Sequence, residues 1–266
     1  MTDNNDKDAS WLELSGARVL VTGGTRNTGR AIAEGFAAAG ADVAVLGGSD
    51  SEMLDETLNL ARAHGVKVWG KLQPLEDAQG VKDTASELLD EFGGIDVLVN
   101  VAAVRPHGQL DDITVEDWDR VMAINLRAPF LLAQAVIPGM RERGYGRIIN
   151  FSGMNAYWGR KARTHVVASK GGMVALTRAL ASSTAKEGIT VNTVVPGTID
   201  TVRQNPEWYP NAEERRAQQL DRVPMGRLGN VDDVVSLVLF LGSPRAGYST
   251  GQEFFVSGGG YPLVSE

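Results

Sequence analysis

The 266-residue chain is 43% hydrophobic and 22% charged, enough apolar content to build a sizeable core in an α/β domain of ordinary size. Its 26 Lys and Arg against 33 Asp and Glu leave a formal charge of -7, which disfavours a nucleic-acid partner. With no cysteine, disulfides, thiolate metal sites and cysteine nucleophiles are excluded, and His64, His107 and His165 are too scattered to make a metal-spaced pair. No apolar run reads as long enough to span a bilayer. The opening MTDNNDKDAS is polar and acidic, unlike a signal peptide, and reads as a mobile tail on a cytoplasmic protein.

Short apolar runs recur at 17–21, 42–46, 66–70, 95–101, 146–151, 189–195 and 252–256. Several are nearly unbroken in Val, Ile and Leu, the pattern of strands covered on both faces. Helical patterns lie between them. Three are closed by glycine: Arg30 to Ala39 before Gly40, Asp50 to His64 before Gly65, and Lys170 to Glu187 before Gly188. A longer helical stretch starts near Thr114, an N-cap candidate, and runs toward Pro138; Pro129 is expected to end or kink it. This alternation predicts an α/β fold: one domain over residues 11–266, built on a doubly wound, Rossmann-like parallel sheet of about seven strands with right-handed crossovers. Residues 203–227 break the rhythm. They are polar and Pro-punctuated and carry Trp208 and Tyr209. So long an insertion after a strand's carboxyl end reads as a substrate lid, and its aromatics suit an apolar or ring-containing compound.

The first strand runs into TGGTRNTGR, residues 22–30, and then into a helix. That is the context a dinucleotide site needs. Gly23 permits a tight turn, Gly29 permits close helix–strand packing, and the helix start offers N–H groups and a positive dipole end to a pyrophosphate. Thr25, Asn27 and Thr28 add hydroxyl, amide and backbone donors.

From about Leu14 to Tyr261 the chain resembles the short-chain dehydrogenase/reductase family. The resemblance rests on TGGTRNTG at 22–29, DVLVNVAA at 96–103, Asn125 within MAINLRAPF, Lys170 within ASKGGM, ITVNTVVPGTIDT at 189–201, RLGNVDDV at 227–234 and the C-terminal YSTGQEFFVSGGG. It implies a Rossmann-like domain, a nicotinamide cofactor and a dimer or tetramer, with assembly expected through the helices at 114–140 and 164–187 or the last strand. In place of the family's middle glycine stands Asn27, a residue that tolerates the left-handed region better than most.

The resemblance also bears on cofactor choice. NAD-using relatives place an Asp near Gly47, and NADP-using relatives often place an Arg near Gly48; neither charge is present. Arg26 stands where NADP-using relatives often carry a basic residue, within reach of an adenosine 2′-phosphate, and Ser49 adds a hydroxyl. The expected cofactor is NADP, with NAD as the alternative. Gln73, where an Asp near adenine is usual, decides nothing. Asn100 and Ala102 match the cofactor-lining stretch, with Ala103 replacing a common Gly, and Pro196, Gly197, Ile199 and Thr201 match the segment contacting the nicotinamide end.

The family's catalytic set is a Tyr four residues before a Lys on one helix face, a Ser thirteen before the Tyr, and an Asn on a neighbouring helix. Lys170 and Asn125 match. Val166 stands at the Tyr position and Gly153 at the Ser position, so the usual proton path has lost two groups. His165 and Tyr157 are the candidate replacements. His165 is one residue away, rotated by about 100° on a regular helix, so it faces the site only if the first turn is irregular. Tyr157 could bring a phenol from the loop edging the cleft. Asn155 offers a hydrogen bond to a substrate oxygen, whereas Ser152 should point to the opposite side. Lys170 retains a ribose-binding role in any case. Arg105, His107, Arg160, Lys161 and Arg163 add basic groups near the cleft, for an anionic substrate or for helix-end and subunit contacts.

The expected activity is hydride transfer between nicotinamide and a carbonyl, an alcohol or a conjugated enone, with a non-standard proton donor. The alternatives are a non-redox lyase, dehydratase or isomerase on the same fold, and a catalytically silent nucleotide-binding protein. The partner is a small molecule, with neither nucleic acid nor membrane.

Overall fold

A computed structural model describes residues 9–201 and 220–261. The expected amino-terminal tail lies almost entirely outside the described residues, as do Trp208, Tyr209 and most of the expected lid.

Seven strands form one parallel sheet: β1 (Arg18–Thr22), β2 (Asp42–Gly47), β3 (Val68–Leu72), β4 (Val97–Asn100), β5 (Gly146–Phe151), β6 (Ile189–Pro196) and β7 (Glu253–Val256). Their spatial order is β3-β2-β1-β4-β5-β6-β7. All adjacent pairs are parallel, with Thr22 level with Asn100 across the β1–β4 pair. The chain winds outward in both directions from that pair, so a crevice opens at the carboxyl ends of β1 and β4, where such sheets bind their ligands. The doubly wound expectation therefore holds.

Strand residues alternate between two cores. Val19, Val21, Val43, Val45, Val97 and Val99 pack with α1 (Asn27–Ala38), α2 (Ser51–Arg62) and α8 (Val231–Gly242). Leu20, Ala44, Leu46, Leu98 and Ile148 face the other way, onto α3 (Ala78–Phe92) and α5 (Ala128–Arg143). The period of two explains why both sets had to be apolar, and why the strands read as unbroken runs.

Boundaries moved where local chemistry intervened. The first helix starts at Asn27 rather than Arg30. The third strand sits two residues later than the apolar run implied, because Asp42 takes the Lys67 N–H (2.8 Å) before the ladder begins. Thr114 caps as expected, accepting from Asp117 N at 3.1 Å. Pro129, however, neither ends nor breaks the helix. α4 (Val115–Met122) continues through a π turn (Ala123–Arg127) directly into α5, with the Ala128 N–H bonded to the carbonyl of Ala123. Pro129 then falls in the first turn of α5, where its missing N–H is tolerated.

This continuous helix, Val115–Arg143, is 29 residues long and apolar enough by length and composition to cross a bilayer, which corrects the reading that no segment is. Its buried residues pack on the sheet face beside α3, as those of a core helix do.

At the amino-terminal edge one carboxylate ties three elements. Asp96 accepts from Arg18 N (3.0 Å), Arg18 Nε and Nη2 (both 2.8 Å) and Arg143 Nε (3.0 Å). Burial pushes this carboxyl up, but the Arg18 hydrogen bonds and the two guanidinium charges outweigh it and hold Asp96 below its usual value. Removing the carboxylate strands two arginines, so Asp96→Ala should cost roughly 2 to 3 kcal/mol in urea unfolding at neutral pH. A folded-state value below the unfolded one gives stability that is complete above the unfolded value and lost as pH falls. The gap between wild type and Asp96→Asn should therefore shrink below about pH 4.

Candidate active site

The turn after β1 is built without clearance. Gly23 has φ +66°, and a Cβ on it would sit 2.9 Å from Ala102 Cα. A Cβ on Gly24 would meet Val45 Cγ1 at 2.8 Å, and one on Gly29 would meet the Gly23 carbonyl oxygen at 2.1 Å. Asn27 takes φ +47°, the left-handed conformation that the Asn-for-Gly exchange anticipated. The extended residue before the helix, Arg26, is exposed and gives α1 no side-chain cap. The positive dipole end of such a helix start suits an anion. Thr25 is buried in the turn and Thr28 lies in the first turn of α1.

Sequence reasoning missed the brace of this turn. Arg30 bonds the Thr25 carbonyl through Nη2 (2.7 Å) and Nε (3.1 Å), reaches Thr57 Oγ1 (3.1 Å), and pairs with Glu56 (2.8 Å). A cation near a helix amino terminus opposes the helix dipole, and that mismatch was the available signal.

At the end of β2, Gly47 is buried against Thr25 and Leu72, while Gly48 and Ser49 are exposed. The nearest carboxylate along the chain, Asp50, caps α2 by accepting from Met53 N at 3.0 Å. Gln73 is likewise occupied, accepting from Thr84 Oγ1 at 2.9 Å. At the end of β4, Asn100 donates to Asn150 Oδ1 (2.8 Å), leaving its own buried Oδ1 without a partner among the described residues. Ala102 N donates to Thr22 Oγ1 (3.3 Å). Beyond β6, whose last residue is Pro196, Gly197 N bonds Val256 O (2.8 Å) and Ile199 bridges Gly229; Thr201 is the last described residue before the break.

The catalytic side of the crevice is a tight polar knot. Asn125, in the π turn, accepts from Val104 N (2.8 Å) and donates to Val104 O (2.9 Å) and Ser169 Oγ (3.0 Å). Ser169 on α7 (Thr164–Thr184) donates to Val166 O (2.8 Å). Next along α7, Lys170 is buried and donates from Nζ to Phe151 O, at the end of β5, over 2.7 Å. Burial and the nearby Arg105 charge bring its ammonium down to about 7. Ser152 Oγ is spent on Lys170 O (3.0 Å). Val166 is fully buried, and a Cβ on Gly153 would meet nothing within 4 Å among the described residues.

Neither candidate replacement donor joins this knot by a hydrogen bond. Tyr157, on the short helix α6 (Asn155–Trp158), gives its hydroxyl to Glu253 on β7, and Arg178 holds the same carboxylate. Its ring packs edge-on against Phe255 (5.0 Å) and beside Tyr261 (5.3 Å). Burial and the Glu253 carboxylate push this phenol far up. The first turn of α7 is regular, so His165 lacks the irregularity it needed to face the site. Its ring is buried with Nδ1 unpartnered; burial holds its pKa down against the pull of Asp117, and the Arg163 charge lowers it further. Arg163 itself is buried against His107 (2.7 Å), and Gly108 N bonds Ala162 O (3.1 Å), fastening the loop after β4 to the loop before α7. Arg160 and Lys161 are exposed.

A tight glycine turn at the first βα junction of a doubly wound parallel sheet places the chain in the class of dinucleotide-binding α/β proteins. Comparison with known proteins agrees. A family described as enoyl-(acyl carrier protein) reductase matches residues 23–260. The 3-oxoacyl-(acyl carrier protein) reductase of Vibrio cholerae is 35% identical over 95% of this chain and 100% of its own. The gluconate 5-dehydrogenase of Gluconobacter oxydans is 33% identical over 93% of this chain and 96% of its own. Among solved structures, a blue fluorescent protein from a metagenomic library, in complex with NADPH, superposes with a TM-score of 0.86 at 34% identity, covering 93% of this chain and 99% of that one. The chain belongs to the short-chain dehydrogenase/reductase family.

The zero-clearance contact yields a direct test. Gly29→Ala forces a methyl into the Gly23 carbonyl, so it should destabilise the fold by about 2 kcal/mol or more in chemical unfolding and weaken nicotinamide dinucleotide binding at least tenfold by calorimetry.

Proposed function

We propose that this protein is an NADP-linked oxidoreductase. It would move hydride between nicotinamide and the carbon of a carbonyl, an alcohol or a conjugated enone, using a proton donor other than the family's usual phenol. The observation that carries this reading is the cradle at Gly23, Gly24 and Gly29, where a Cβ would collide at every position. This packing lays the start of α1 against the crevice, where its N–H groups and positive dipole end suit a ligand's phosphates.

When bound, the dinucleotide supplies the hydride donor or acceptor; everything else falls to the chain. Thr25, Asn27 and Thr28, with the start of α1, would hold the pyrophosphate. Asn100 and Ala102, at the end of β4, would line the crevice, and the orphaned Asn100 Oδ1 fits a ligand donor there. Pro196, Gly197, Ile199 and Thr201 would wall the nicotinamide end. Lys170 would hold the ribose, with Asn125 keeping its helix and the Val104 loop in place. The choice of NADP rests on two observations: Arg26 is exposed beside the cradle, and Asp50, turned to cap α2, leaves the β2 edge without the carboxylate that would repel a 2′-phosphate. Ser49, exposed at the same edge, adds a hydroxyl.

The substrate is a small molecule, and the enzyme acts in the cytoplasm as a symmetric dimer or tetramer. A groove of about 500 Å³ between the Val115–Arg143 helix and α7, lined by Met122, Leu126, Phe130 and Leu176, supports assembly through these helices.

A second reading is favoured by one observation. Val166 and Gly153 put neither a phenol nor a hydroxyl where the family carries them, so a fold that retains the dinucleotide could run an elimination, hydration or isomerisation. The test separates the two. NADPH is mixed with 3-oxoacyl thioesters, keto-sugar acids and enones, while nicotinamide absorbance and products are followed together. Loss of NADPH absorbance with reduced product supports hydride transfer. Product without net cofactor change supports the second reading, and binding without turnover refutes both. Arg26→Ala should weaken NADPH at least tenfold and NADH by less than threefold in calorimetry. Light scattering should give a dimer or tetramer mass; a monomer at micromolar concentration refutes the assembly.

A further inference from the structure

We propose that Lys170 itself gives and takes the proton at this site, in place of the phenol that Val166 does not carry. The proposal deepens the hydride-transfer reading and rests on it.

Among the described residues the geometry leaves Lys170 as the titratable group in the knot. The surrounding polar groups are committed to bonds that hold the fold: Asn125 to Val104 and Ser169, Ser169 to Val166 O, and Ser152 to Lys170 O. Tyr157 is drawn toward β7 by Glu253, and its phenol is pushed away from the neutral range. Lys170 Nζ makes one described bond, to the backbone carbonyl of Phe151. An ammonium has three donors, so two N–H directions remain for a substrate oxygen or its ribose neighbour. The space that a serine would occupy at Gly153 is open on that same β5 edge.

The electrostatics fit the task. Among the described residues Arg105, on the loop after β4, is the charged group that acts on Lys170, and it has the same sign. Asn125, from the π turn, is neutral, and β5 presents only the Phe151 carbonyl. On α7 the next titratable group is His165, beside Arg163 and Asp117. Burial and Arg105 together bring Lys170 to about 7, where an acid of this kind both donates and recovers a proton readily.

The step balances. In the reductive direction the carbonyl carbon gains hydride from the dihydronicotinamide, and the nucleotide loses two electrons. One N–H bond of the Lys170 ammonium breaks as the substrate O–H bond forms, and the neutral amine regains its proton from water. The reverse direction starts from the neutral amine. Reduction should therefore slow as pH rises through about 7, and oxidation should quicken.

Three measurements test this. The first is a nitrogen NMR titration of lysine Nζ in the ligand-free protein. Lys170 should titrate near pH 7; an ammonium that stays charged beyond about pH 9 overturns the proposal. The second is Lys170→Arg, which keeps the cation but cannot release a proton. It should bind NADPH within about threefold of wild type by calorimetry yet lose at least about 100-fold in kcat. Retention of more than about a tenth of kcat overturns it, and so does a larger loss in Tyr157→Phe or His165→Phe.

The third is Arg105→Ala, at an exposed position where misfolding is not expected. Removing the like charge should raise the NMR midpoint and the break in the pH–rate profile together, by about half a unit. A shift in the NMR midpoint alone refutes the Lys170 assignment but leaves hydride transfer standing. Absence of any nicotinamide turnover in a protein that binds NADPH refutes hydride transfer, and the assignment falls with it.

Discussion

The amino end of α1 lies against the carboxyl edge of β1 and β4 with no room to spare. Gly29 passes so close to the Gly23 carbonyl that a side chain there would overlap it, and Gly23 in turn touches Ala102 across the switch point of the sheet. Packing of one helix on one strand, with Phe36 and Ile32 of α1 in one core above Val19 and Val21 of β1, holds this approach in place. Arg30 locks the turn from the other side by gripping the Thr25 carbonyl. The functional crevice exists because these three constraints agree. A protein with no need for backbone at that distance would have no reason to exclude Cβ atoms there.

Opposite the cradle, the construction principle changes from excluded volume to hydrogen bonding. The Asn125 amide joins the π turn to both the Val104 backbone and Ser169. The π turn also lets the long helix pass Pro129 without breaking, so a backbone irregularity and a site residue coincide, as they often do in α-helices. The cost of burying an ammonium is carried by this scaffold and by the Phe151 carbonyl, and it appears as a lowered proton affinity of Lys170.

Val166 is sealed inside, and Tyr157 is tied to Glu253 and stacked among Phe255 and Tyr261, where it stabilises the last strand. A residue that sequence alone offered as a phenol for the cleft is instead an anchor of the β7 edge. His165 shows the same lesson from a different direction: a regular first turn of α7 settles its side chain near Asp117 and Arg163.

Periodicity and turn chemistry determined the sheet, its winding and the glycine turn after β1. Those features depend on neighbours in the chain: alternating apolar faces, glycines past helix ends, and an Asn able to take φ +47°. The doubly wound architecture followed from the right-handed crossover rule and from the resemblance to a known family, whereas the strand order came from the structure. What the chain could not reveal was where polar atoms end their search for partners. Arg30 reaching the Thr25 carbonyl, Asp50 turning to its own helix, Tyr157 crossing 96 residues to Glu253 and Lys170 crossing 19 to Phe151 are choices among competing partners. Such bonds are short-ranged and directional, so only the tertiary structure, which fixes the distances, decides between them.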